Sequence, residues 1–141
     1  MLERALVVLV FLAATVAIAL IVRGRTRARI AALEGRVLPM AVRSRFTAET
    51  AGILYFYGPH CGSCRQQALI LDQLAQREPI TLVKVDAAAQ ADLADALGIA
   101  TVPATVVVAP GGAVQSINLG LRSLPALTVQ LQQIEVARAV A

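Results

Sequence analysis

Hydrophobic residues follow three patterns along this chain: one unbroken run, several short dense runs, and stretches of helical spacing. The unbroken run is Ala5 to Val22, eighteen residues without a charge and with Thr15 as the only hydroxyl. Coiled as a helix it spans roughly 27 Å, close to a hydrocarbon core of about 30 Å. It predicts one N-terminal transmembrane helix; a buried core helix would carry a polar face. A cleaved signal peptide fits the same run, with Arg4 as its basic start and Ala17-Ile18-Ala19 as a small-residue cleavage site. Against cleavage stand Arg23, Arg25, Arg27 and Arg29, directly after the run. Four cations resist translocation, whereas the N-terminal flank offers only Arg4 and the α-amino group of Met1, partly offset by Glu3. The positive-inside rule therefore predicts a single-pass membrane protein whose C-terminal domain is cytoplasmic. A periplasmic or extracytoplasmic domain is the alternative.

Residues 1–22 are thus read as the anchor. Residues 23–36, rich in Arg and Ala, form a juxtamembrane stalk, helical or loosely ordered, that ends near Gly35. Pro39 rules out an unbroken helix beyond it. Residues 37–141 are left as one domain of about a hundred residues with a single core.

Within that domain the pattern changes from element to element. Ile53-Leu54-Tyr55-Phe56-Tyr57 is continuously apolar and aromatic, which predicts a strand buried on both faces. Residues 62–77 have helical spacing, with Ala68, Leu71, Leu74 and Ala75 on one face and Pro79 beyond the end. Ile80 to Val85 is a second strand. Residues 90–97 are a short helix with Leu93 and Leu97 inward, closed by Gly98. Ala104 to Ala109 is a third strand, Pro110-Gly111-Gly112 a turn, and Ala113 to Leu119 its hairpin partner. Ser123 can cap a last helix whose buried stripe is Leu124, Leu127, Leu131 and Ile134. The order β-α-β-α-β-β-α predicts an α/β fold, a small mixed four-stranded sheet flanked by helices. The first three strands are expected to be parallel through crossovers and the last pair antiparallel.

Charge sharpens the division. Residues 1–45 carry eight Arg against Glu3 and Glu34, a balance of +6, and residues 46–141 carry five basic groups against seven acidic ones, a balance of −2. The basicity is juxtamembrane, where it sets topology and meets anionic headgroups. A mildly acidic folded part without a basic, aromatic-interleaved patch excludes nucleic acid as a partner.

The candidate chemistry is Cys61-Gly62-Ser63-Cys64, at the junction of the first strand and first helix. A C-x-x-C beside a βαβ pattern is a redox signature. A thiolate in the first turn of a helix faces unpaired N–H groups and the positive dipole end, which lowers its pKa. The two-residue spacer lets the second sulfur reach the first. Cys61 is then the nucleophile on a substrate disulfide and Cys64 resolves the mixed disulfide, while Gly62 permits close approach of a partner backbone. Two buried structural cysteines are the bland alternative. A metal site of His60, Cys61 and Cys64 lacks the fourth ligand that closed zinc sites need, so no metal is assigned.

From Tyr55 onward the sequence resembles the thioredoxin family over roughly residues 50–141. The motifs are Tyr55-Phe56-Tyr57-Gly58-Pro59-His60-Cys61-Gly62-Ser63-Cys64-Arg65, then Lys84-Val85-Asp86, then Gly98-Ile99-Ala100-Thr101-Val102-Pro103-Ala104-Thr105, then Gly111-Gly112 and Gly120. The resemblance implies a thioredoxin-like fold and a protein-disulfide oxidoreductase whose only redox group is the Cys61–Cys64 disulfide, with no further cofactor. It implies that Pro103 is cis, lies against the cysteines and keeps other ligands off the thiolates. It also implies that the Val102 backbone pairs with an extended substrate segment. Protein thiols and disulfides, an upstream electron donor or acceptor protein, and membrane lipid around residues 5–22 are the expected partners.

Several positions depart from the family. His60 stands where a Trp usually precedes the first Cys; as a cation it would favour the Cys61 thiolate, and otherwise it is a solvated loop residue. The dipeptide Gly62-Ser63 replaces the common Gly-Pro. Tyr55 aligns with the family's buried Asp, whose Lys partner is kept as Lys84. The segment before Ile53 is short, so residues 40–46 are a candidate fifth, edge strand without the family's first helix. Two other functions stay open: a membrane-tethered, non-enzymatic thioredoxin-like binding module and a metal carrier.

Overall fold

A computed structural model describes residues 2–140; the α-amino group of Met1 lies outside them. The chain divides into two compact units, Met1–Ala32 and Leu33–Ala141. The first is part of a single helix, α1 (Leu2–Leu33), which continues through the arginines that follow the apolar run. An eighteen-residue window of it has a mean hydropathy of 3.1 and none of that window is buried inside the protein. A core helix would be covered, so the length and composition of α1 make it a candidate membrane span or signal sequence.

The second unit is built on a four-stranded sheet of order β2-β1-β3-β4. Its strands are β1 (Gly52–Tyr57), β2 (Thr81–Asp86), β3 (Ala104–Val108) and β4 (Val114–Leu119), and its helices are α2 (Met40–Arg43), α3 (Gly62–Arg77), α4 (Ala91–Ala96) and α5 (Leu124–Val140). β1 is central because it is apolar on both faces: Ile53, Leu54 and Phe56 are wholly buried and Tyr55 nearly so. Ile53 and Tyr55 point to the side where α3 and α5 supply Leu71, Leu74, Leu127, Leu131 and Ile134, in a cluster that includes Cys64. Leu54 and Phe56, by the strand's alternation, serve the other face. The glycine turn works as its sequence implies. Gly111 and Gly112 both have φ near +90°, and a Cβ on Gly112 would lie 2.8 Å from Cγ of Arg43.

Three expectations are corrected. β1 and β2 are parallel, but β3 runs antiparallel to β1, pairing Phe56 with Ala104 and Gly52 with Val108. The seventeen residues between β2 and β3, 87–103, are long enough to cross the sheet, but they fold at the end where β2 finishes, with the six-residue α4 among them. The chain therefore re-enters the sheet at the end where β2 left it. Second, residues 40–43 are helical rather than an edge strand: Pro39 is the N-cap, and its carbonyl accepts from Val42 and Arg43 N–H. The only strand-like pairing in that region, among the described residues, is an isolated bridge of Val37 to Ala113. Third, Ala75 is exposed, and α3 buries Gln67 with Cys64, Leu71 and Leu74.

Candidate functional site

Because β3 reverses, the C-terminal ends of β1 and β2 and the start of β3 meet at one end of the sheet. Tyr57 is in register with Asp86, and Phe56 with Ala104. The turn after β1 carries the cysteines, and the turn before β3 carries Val102 and Pro103. Their proximity is visible at Gly58, where an added Cβ would lie 3.3 Å from Cγ2 of Val102. Val102 also packs against the cluster that holds Tyr55 and Cys64.

Cys61 is the N-cap of α3, with extended backbone (φ −99°, ψ 105°), and Cys64 lies in the first turn with its N–H donating to the Cys61 carbonyl at 3.2 Å. The two sulfurs are bonded, with Cα atoms 5.3 Å apart. They are not equivalent. Cys61 is half-buried and Cys64 is 5% exposed, so a partner arriving from solvent meets Cys61 first. No side chain caps the helix start at Cys61. The orphan N–H groups of this turn are thus free to face charge on sulfur.

The neighbouring candidates take distinct places. Gly62 is exposed, and an added Cβ would meet nothing within 4 Å, so the front of the disulfide is open. Ser63 Oγ lies 3.7 Å from Cys61 Sγ. His60 is exposed and lines the same hollow as the cysteines. The Val102–Pro103 bond is cis, Pro103 is buried, and the Pro103 carbonyl accepts from Gly120 N–H at 2.8 Å. Among the described residues the N–H and carbonyl of Val102 take no hydrogen bond.

Tyr55 and Lys84 sit side by side on paired strands. Tyr55 is 2% exposed, and its hydroxyl donates to the Cys64 carbonyl at 2.7 Å. Burial raises its pKa above 10.0, and the nearby charges of Tyr57 and Asp72 push the same way. Lys84 Nζ turns instead to Asp72 Oδ1 on α3, at 2.8 Å, with both side chains near half exposure. With Gly58, Pro59, Arg65 and Ala68 these residues line a cavity of about 650 Å³, and among the described residues no carboxylate belongs to its lining.

One participant was not found by sequence reasoning. Gln67, one turn beyond Cys64, is wholly buried. Its Oε1 accepts from Arg122 N–H at 2.6 Å and its Nε2 donates to the Arg122 carbonyl at 3.2 Å. With the Gly120–Pro103 bond, this links the redox helix to the turn after β4 and to the cis proline. The spacing of Cys64, Leu71 and Leu74 is compatible with position 67 on the inner face, but the sequence pattern puts Ala68 there, and a glutamine reads as a solvent residue.

A strand-to-helix C-x-x-C disulfide beside a cis proline, on a sheet of this order, defines a thioredoxin-like protein. Solved structures agree on the fold. An asparagine-to-glutamine mutant thioredoxin from Halobacterium salinarum NRC-1 superposes with a TM-score of 0.62 at 23% identity, covering 70% of this chain and 87% of its own. Oxidized mitochondrial thioredoxin 3 of Saccharomyces cerevisiae gives 0.59 at 20% identity, covering 74% and 98%. Chloroplastic thioredoxin z gives 0.58 at 27% identity, covering 68% and 85%. The chain belongs to the TraF family, described as F plasmid transfer operon protein, which matches residues 43–131. No curated protein matches it.

Proposed function

We propose that this protein is a membrane-anchored thiol–disulfide oxidoreductase that exchanges disulfides with protein partners through Cys61 and Cys64. The observation that carries the reading is the unequal exposure of two bonded cysteines at an uncapped helix start. In the reducing direction the Cys61 thiolate attacks a client disulfide, forming a mixed disulfide and releasing one client thiolate. The Cys64 thiolate then attacks Cys61 Sγ, which releases the second client thiolate and restores the protein disulfide; water supplies the protons. The client segment lies along Val102, whose free N–H and carbonyl suit an added strand, with Pro103 beside the sulfurs. His60, when protonated, favours the Cys61 thiolate, and Gly62 and Ser63 leave the approach open. A dithiol donor protein returns the two electrons.

Residues 5–22 hold the chain in lipid, and Arg23 to Arg29 place the domain on the cytoplasmic side. In that compartment thiols are kept reduced, so the protein acts as a reductant. The test is reduction of a model protein disulfide by the full chain in detergent. Wild type is expected to turn over, Cys61→Ser to be inactive, and Cys64→Ser to accumulate a mixed disulfide. Equal rates for wild type and Cys61→Ser would leave only a tethered binding module. Labelling of the cysteines in intact cells by a membrane-impermeant thiol reagent tests the side; a labelled domain is outside the cytoplasm.

A further inference from the structure

The hollow beside the disulfide adjoins the Val102–Pro103 face at Gly58 but does not include it. Neither Val102 nor Pro103 lines it, but both cysteines do. At about 650 Å³ the hollow falls within the range of small-molecule sites, about 300–1,000 Å³. Tyr55, Tyr57, Pro59 and Ala68 give it apolar walls, and its two charged residues, Arg65 and Lys84, are both cations.

The absence of acid is selective. Residues 46–141 hold seven acidic groups against five basic ones, and not one Asp or Glu lines this hollow. Asp72 is tied to Lys84 from outside the lining. Arg65 has no carboxylate partner among the described residues. Tyr55 occupies the position under Cys64 where a carboxylate would repel an anion, and its hydroxyl is already spent on the Cys64 carbonyl.

We propose that this hollow binds a small organic thiol bearing carboxylates, with Arg65 as the main anchor for the anion and the thiol directed at the Cys61–Cys64 bond. The proposal rests on the reading of that disulfide as exchangeable, and names a second source of electrons for it. The ligand thiolate attacks Cys61 Sγ; the protein S–S bond breaks, a ligand–Cys61 disulfide forms, and Cys64 leaves as a thiolate that takes a proton from water. A second ligand thiolate attacks the ligand sulfur of that mixed disulfide, releasing the ligand disulfide and the Cys61 thiolate. Two ligand thiols are oxidised to one disulfide, and the protein disulfide gains two electrons.

The probes are glutathione and glutathione diethyl ester, which share the thiol and ammonium but differ in their carboxylates. Reduction of the oxidised full chain in detergent is followed for each, with rates expressed per thiolate. Glutathione is expected to be about tenfold faster, the worth of one charge-assisted contact. Arg65→Gln is expected to cut that ratio to about threefold or less. A wild-type ratio at or below one overturns the proposal. So does a ratio that persists in Arg65→Gln and in the Arg65→Gln, Lys84→Gln double variant, since the preference then arises elsewhere. Dithiothreitol is the control: if it reduces the disulfide while glutathione shows no preference, only the hollow is refuted. A disulfide that dithiothreitol leaves intact refutes exchange itself.

Discussion

Replacing Tyr55 with Phe removes one oxygen from beneath the redox turn and little else. The ring stays in a site that is 2% exposed, 5.9 Å from Tyr57, so packing is kept. What disappears is the 2.7 Å bond from the hydroxyl to the Cys64 carbonyl. That carbonyl lies in the first turn of α3, where the helix's own donor four residues on remains available, so it is not orphaned. The expected loss is that of one buried hydrogen bond, about 1 kcal/mol with a range of roughly 0.5–1.5. For a domain of about a hundred residues this lowers Tm by about 3–8 °C. The assay is thermal unfolding of the oxidised full chain in detergent, against wild type. A second signature is pH. Folding raises the Tyr55 pKa above 10.0, so it favours the neutral phenol. The stability this group lends is complete below about pH 10 and is lost as pH climbs from there to the folded value. Tyr55→Phe is expected to lack that part of the alkaline decline. A Tm within about 1 °C of wild type, or an unchanged alkaline decline, refutes the reasoning that the hydroxyl braces Cys64.

Gln67→Leu strips both partners from the Arg122 backbone and is expected to cost about 1–3 kcal/mol, read by denaturant unfolding; a neutral result shows that water replaces the clamp. Leu127→Ala, at a wholly buried position between α3 and β1, is expected to cost about 2–5 kcal/mol in the same measurement. Gly112→Ala adds a Cβ at φ +91° against Arg43 and is expected to lose about 1–3 kcal/mol, whereas Gly62→Ala, with open space around it, stays within about 0.5 kcal/mol. Leu12→Arg, in the middle of the apolar run, is expected to shift the chain from the membrane to the soluble fraction on cell fractionation.

The sequence revealed most where one physical demand acts alone. β1 is legible because five apolar and aromatic residues in a row have no use other than burial on both faces. α3 is legible because its apolar spacing ends at Pro79. What stayed hidden depends on distances between elements. The direction of β3 turns on where residues 87–103 pack, which no residue of β3 encodes. The α2 segment was ambiguous because Met40 to Phe46 is too short for either periodicity to assert itself. Gln67 escaped because its burial is made tolerable by the backbone of Arg122, distant in sequence. At the site, Cys61 and Cys64 declare themselves by spacing and context. The cis state of Pro103 was implied only by resemblance, since a strand-start proline looks the same in either isomer. The partner of Lys84 was not legible, because Asp72 lies twelve residues away on α3 and meets it only once the helix packs on the sheet.

The brevity of α4 has a consequence for how this chain tolerates change. Had that helix carried the peptide back across the sheet, the Val102–Pro103 turn would open at the far edge, some 20 Å from the sulfurs. An insertion of a few turns there, harmless to hydrophobic burial and to helix formation, would give a protein that folds and still carries its cysteines. It would nonetheless have lost the wall against which a client is laid. The length of this connector, residues 87–103, is therefore held by function as well as by folding.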